Sequence, residues 1–197
     1  MPRIDKKLNL VIPIYTDDDT PKIKAYTHSQ PISAEIFEIY QEPLALAYSM
    51  IFGGGYAALS GQRIAATLLR KAAKRLGVLD GEDGVEKGFF RELRRLTNVI
   101  VAGDNGWQSM MLFDAEKAGA LDKEELQEVE AAIVFFIVVS AIMPKSERRE
   151  AVTYAAGLWG AQVTLLTTTE FLNSCKTSTV TDSSGESPTS EASLPKS

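Results

Sequence analysis

Chemistry-bearing side chains are scarce in this chain. Of its 197 residues one is cysteine, Cys175, and one is histidine, His28. A single thiol excludes an intrachain disulfide, and one His with one Cys cannot complete a transition-metal site. The carboxylates of Asp17-Asp18-Asp19 lack the ligand spacing of a calcium loop. A Ser-His-Asp triad would have to use His28, on a presumed strand, and no Gly-x-Ser-x-Gly elbow accompanies it. Gly53-Gly54-Gly55 is not followed by the Gly-Lys-Ser/Thr of a phosphate loop, nor preceded by a strand, so it reads as a turn between helices. No pair of acids is singled out for glycosidase-type work. The sequence therefore nominates no catalytic residue, no cofactor and no metal, and predicts a protein that is not an enzyme. No apolar run reaches the roughly 20 residues that span a bilayer. Met1–Lys7 is not followed by the apolar stretch of a secretory signal, so a cytosolic protein is expected. The net charge of -5 favours solubility and argues against a protein that coats nucleic acid.

What is present is a core. Hydrophobic residues make up 45% of the chain, enough for one domain with a tail. Its centre is the stretch from Asp122 to Met143. Asp122 with Glu125 three positions on is a capping-box pattern, and Leu126, Val129 and Ile133 recur at helical spacing. From Ala131 to Met143 only Ser140 is polar, so this helix has to be surrounded by other elements. Pro144 stops it. The β-branched run Ile133–Val139 also suits a buried strand, but no turn signal separates Asp122 from Pro144, which favours the helix.

Around that rod the pattern predicts a mainly α protein in three parts. Residues 1–30 read as a β-hairpin arm: Leu8–Tyr15 and Lys22–Thr27 are strand-like, with the acidic turn Asp17–Pro21 between them. Pro13 marks the first strand as an edge. A lone hairpin is marginal, so it should pack on the helices or gain strands from another copy of the chain. Residues 31–172 form a helical body. Ser33 caps a helix that carries Phe37, Tyr40, Leu44 and Ile51 and is kinked by Pro43. A second helix runs from about Leu59 to Leu76 and stops at Gly77. A third runs from Val85 to about Val99 with Phe89, Phe90, Leu93 and Leu96 inward, and Gly103–Gly106 is a turn. A last helix starts near Ser146 and extends towards Leu172, burying Tyr154, Leu158, Trp159, Val163 and Leu166. Residues 173–197 are a disordered tail, because twelve of the 25 are Ser or Thr and none is aromatic.

Candidate partner-binding residues come from two basic stripes. Arg63, Arg70 and Lys74 share a sector of the second helix, with Lys71 alongside; Lys87, Arg91, Arg94 and Arg95 repeat the arrangement on the third. They suit three uses: pairing with Glu116, Asp122, Glu124, Glu125 and Glu128 of the same chain, contact with an acidic protein, or nucleic-acid binding. Trp107 and the cluster Met110–Phe113 either anchor a loop in the core or form an exposed apolar patch, and Trp and Met are what an adaptable binding surface uses.

Taken together, Pro31-Ile32-Ser33 with Phe37, Gly61–Ala65, Gly84-Val85-Glu86, Arg94–Val99, Gly106-Trp107, Glu128–Phe136, Trp159–Gln162 and Thr169-Glu170-Phe171 resemble the tail assembly chaperones of long-tailed bacteriophages (siphoviruses). The resemblance spans roughly residues 30–175 and carries no catalytic signature. It implies a protein that binds the helical tape-measure protein, keeps it soluble in the host cytoplasm, and is absent from the mature virion. In such systems a longer frameshifted form recruits tail tube protein, and the Ser/Thr-rich tail would suit a tether to that extension. The rival class is a structural virion component, such as a head–tail connector or tail-completion protein, using its edge strand between subunits.

Overall fold

The computed structural model describes residues 2–5, 7–17, 19–57, 60–103, 106–159 and 162–163. The predicted tail, Cys175, and the far end of the predicted last helix lie outside these residues.

The central helix forms as its sequence dictates. Helix α5 (Lys123–Ile142) is opened by Asp122, whose carboxylate accepts from the Glu125 amide while the Glu125 side chain accepts from the Asp122 amide. Every residue from Val129 to Ala141 is buried. Helix α1 (Ala34–Gly53) starts at Ser33 and leaves helical geometry at Tyr40, close to where the Pro43 ring would meet the carbonyl four residues back. Helix α2 (Gly61–Leu76) ends at Gly77, which adopts φ 73 as a left-handed C-cap. α2 packs along α5, and α1 packs on both. A Cβ on Gly61 would lie 2.8 Å from the Phe135 ring, so the close α2–α5 approach depends on glycine there.

These helices cover a sheet, which overturns the mainly α expectation. The strands are β1 (Arg3–Ile4), β2 (Leu10–Tyr15), β3 (Ile23–Ser29), β4 (Thr97–Gly103), β5 (Gly106–Met111) and β6 (Gln162–Val163). Their order is β5-β4-β3-β2-β1-β6, antiparallel except where β6 joins β1 in parallel. The protein is an α/β fold, and the predicted hairpin β2–β3 is the middle of its sheet rather than an arm. The strands it needs come from its own chain. Pro13 therefore does not sit on an outer strand, although among the described residues β1 pairs with Leu10 and Val11 and with no residue further along β2.

The error has a local cause. The predicted third helix is a π-helical turn (Val85–Phe89) continued by α3 (Phe90–Arg95), and it stops before Thr97. Leu93, Leu96 and Val99 continue helical spacing, but Thr97-Asn98-Val99-Ile100-Val101 is rich in β-branched side chains that fit a pleated surface. The Thr97 hydroxyl donates to the Leu93 carbonyl at 2.9 Å, ending the helix, and the strand then pairs with β3. After β5 comes a short helix, α4 (Leu112–Ala115). Helix α6 (Arg148–Trp159) is likewise shorter than predicted. It buries Val152, Ala155 and Ala156, whereas Tyr154 is exposed and Val163 belongs to β6.

The two faces of the sheet differ. Leu10, Ile14, Ala25 and Val99 join the main core with the helices, whereas Val11, Tyr26 and Ile100 form a separate small cluster on the other face, joined by Ile23 and Trp107.

Candidate protein-binding surface

The basic stripes meet where α2, α3 and α5 converge, and there the cations divide into two groups. One group is turned inward around Glu130, the only charged residue in the buried run of α5. Arg94 Nε donates to Glu130 Oε1 at 2.5 Å, and Arg70 Nη2 lies 3.6 Å from Oε2. Arg70 also grips Glu86 with two hydrogen bonds, Nε to Oε2 at 2.7 Å and Nη2 to Oε1 at 3.1 Å. Its guanidinium stacks 3.9 Å above the Phe90 ring. The hydrogen bond from Arg70 holds the Glu86 carboxyl below the usual carboxylate range, against the opposing effect of burial. The planar fork of Arg suits this paired recognition of two acids. Arg70 and Arg94 thus join α2, the π-turn, α3 and α5.

The second group stays on the surface. Arg63 pairs with Glu128 at 3.2 Å, with both side chains more than half exposed. Arg95 holds Glu92 within its own helix, and Lys87 holds Glu82. Among the described residues, Arg91 and Lys74 have no ion-pair partner within 4 Å. Intrachain pairing is therefore the fate of most of the predicted cations. Glu86 and Glu130 are the key acceptors, and the sequence reading had not singled them out. The signal was faint: in the sequence Glu130 directly precedes the apolar run Ala131–Met143 and follows Glu128, so it reads as the end of a charged stretch.

Beside α3 the surface cations border an apolar floor. A depression of about 570 Å³ is lined by Lys87, Arg91, Arg94 and Arg95 on one side and by Met111 and Phe113 on the other. Phe113 is 58% exposed and Met111 43%, whereas their neighbour Leu112 is buried in the core. The Met110–Phe113 cluster is therefore split, with two residues offered to solvent. Alternation along β5 and the single turn of α4 cause that split. Lys117 Nζ sits 4.2 Å over the Phe113 ring and adds another cation to the rim. Glu82 and Glu86 also line the depression, but both are paired.

Of the seven candidate residues, the structure brings Arg91, Arg94 and Arg95 to this depression and leaves Arg63, Arg70, Lys74 and Trp107 outside it. Arg63, Arg70 and Arg94 line a different hollow between α2 and α5, which they share with Glu116, Glu124, Glu128 and Glu130. That hollow is of mixed charge rather than a basic track. Trp107 is half-buried on the outer sheet face with its ring edge-on to Tyr26, centroids 5.3 Å apart. Its indole N–H is buried without an acceptor among the described residues. His28 lies on the same outer face of β3, opposite Val11 and Asn98; burial lowers its pKa, and Asp5 opposes that. Among the described residues no group of three or more His, Cys, Asp or Glu is placed to hold a metal, and no helix is long and apolar enough to cross a membrane.

The fold and site define a class in physical terms: an α/β layer protein whose described helices are joined by buried ion pairs and whose exposed rim combines cations with apolar side chains. Comparison of the chain with protein-family profiles, curated proteins and solved structures finds no match.

Proposed function

We propose that this protein works without catalysis, as a tail assembly chaperone of a long-tailed bacteriophage. It would cover the apolar face of the tape-measure protein in the host cytoplasm until the tail tube polymerises, and would not remain in the finished particle. The observation that carries this reading is the depression beside α3, where exposed Phe113 and Met111 form an apolar floor under Arg91, Arg95 and Lys87. An amphipathic client helix would set apolar side chains of successive turns on that floor and its flanking acids against the arginines. The sequence resemblance over roughly residues 30–175 supports the same role and adds tail tube protein as a second partner, reached through a longer form. A nucleic-acid reading is disfavoured, because Arg70 and Arg94 are turned onto Glu130 and do not offer a continuous row for phosphates.

Co-expression with the tape-measure protein is the test. The expected result is a higher soluble yield of the client and its co-purification with this chain, weakened by salt because the rim charges are exposed. Neither solubilisation nor co-purification would sink the reading. A structural virion part is the second reading, favoured by the position of β5 at one end of the sheet, with no strand beyond it among the described residues. Mass spectrometry of purified particles separates the two, since a structural part is present in stoichiometric copies.

A further inference from the structure

The two sides of this sheet are finished differently. At one end, the side of β2 that β1 leaves unpaired beyond Val11 among the described residues carries Pro13, which has no amide hydrogen to offer. Prolines, charges and bulges are common ways of making an edge unattractive to a second chain. At the other end β5 has none of these guards. It runs for six residues, Gly-Trp-Gln-Ser-Met-Met, without proline or charge, and its register with β4 shows no bulge. Gln108, Ser109 and Met111 are exposed, and among the described residues no strand lies beyond β5. An edge of this kind leaves a row of backbone donors and acceptors for another strand.

We infer that β5 pairs antiparallel with β5 of a second copy of this chain, across a two-fold axis perpendicular to the sheet at Ser109, extending both sheets into one. The choice of partner and register follows from three observations. First, Trp107, Ser109 and Met111 share one face, being opposite Ala102, Ile100 and Asn98 of β4. Residues facing each other across a strand pair must share a face, so a two-fold at Ser109 sets Trp107 against Met111 of the second copy, twice. A thioether beside an indole is a favourable contact. Second, every opposed pair is neutral, so the pairing brings no like charges together. Third, the cationic rim starts only at the Met111 end of the strand. In this register the two Met111 residues lie about 14 Å apart, four residues along the strand. That exceeds the Debye length of about 8 Å, so the two rims do not repel strongly. The pairing does not rest on the chaperone reading and is equally compatible with a virion part.

Cross-linking and sedimentation of the full chain test it. Cys175 is the only native cysteine. In a Cys175→Ser background, the Ser109→Cys variant should form a disulfide-linked dimer on mild oxidation, because directly opposed residues have Cβ atoms about 5 Å apart. The Gln108→Cys variant should not, since its equivalents lie two residues out of register, beyond disulfide reach. Sedimentation at about 100 µM, where a micromolar contact is nearly saturated, should show a dimer. Ser109→Lys should weaken that dimer by about tenfold or more while leaving the thermal melt of the fold in place. Ser109 is exposed, so the substitution does not threaten folding. A monomer at that concentration overturns the pairing, as does a dimer indifferent to Ser109→Lys or cross-linked equally well through Gln108→Cys. Amide protection at residues 106–111 that appears only when an extended client segment is added would assign the edge to that client, and also overturns it.

Discussion

Arg94 and Arg95 are neighbours in sequence and do opposite work. Arg94 reaches into the molecule to Glu130, whose side chain is only 5% exposed, while Arg95 lies on the surface with Glu92 one turn away. The same division separates Arg70 from Arg91: the first bridges Glu86 and Glu130, and the second faces the depression floored by Phe113. A buried carboxylate cannot lose a partner cheaply, because it has no water to replace it, whereas an exposed pair exchanges its partner for solvent at little cost. Position around a helix, rather than residue type, therefore separates arginines that hold the fold from arginines free to meet another molecule.

That contrast can be broken most sharply at Glu130. Glu130→Ala should lower the unfolding free energy by about 3 kcal/mol, read from urea denaturation, because it leaves Arg70 and Arg94 converging on an empty site. A loss under about 1 kcal/mol would mean the inward arginines are as dispensable as the outward ones. Arg94→Ala should cost about 2 kcal/mol, somewhat less because Arg70 still faces Glu130.

The acid side of the network has a pH signature. Arg70 holds the folded-state pKa of Glu86 below its ordinary value of 4.5, so on acidification the unfolded chain takes up the proton first. The stabilisation is complete above about pH 4.5 and is lost as pH falls through the lowered folded value. Glu86→Gln should flatten that part of a stability–pH curve. Substitution of Arg91, on the rim, should leave it intact.

On the outward side, the double variant Arg91→Glu, Phe113→Ser should change stability by less than about 0.5 kcal/mol while abolishing capture of the tape-measure protein on co-expression. Unchanged capture would show that the depression is not the client site. The smallest effect is expected for Lys74→Ala, which touches neither the Glu130 network nor the depression and should leave both stability and capture within error.

Much of the helical layer was legible because its signals are short-range. Asp122 and Glu125, Ser33, Pro43 and Gly77 act on backbone groups within a turn of themselves, and each does in the fold what its local chemistry requires. The outer half of the sheet was not legible. Thr97–Val101 continues the spacing of α3 closely enough to read as helix, and Trp107–Met111 has little strand character of its own. The candidate site was half visible: Arg91, Arg94, Arg95 and the Met110–Phe113 cluster were nominated separately, with nothing to show that a hairpin would place them side by side.

By itself, the sequence determined the buried rod of α5, its cap and its stop, since a run apolar on every side has one stable place in water. Tertiary structure alone settled which strands join the β2–β3 hairpin and which arginines turn to Glu130. Both depend on groups far apart in the chain: β3 meets β4 about seventy residues on, and Arg94 meets an acid 36 residues away. A pattern read within one turn or one strand carries no record of such partners.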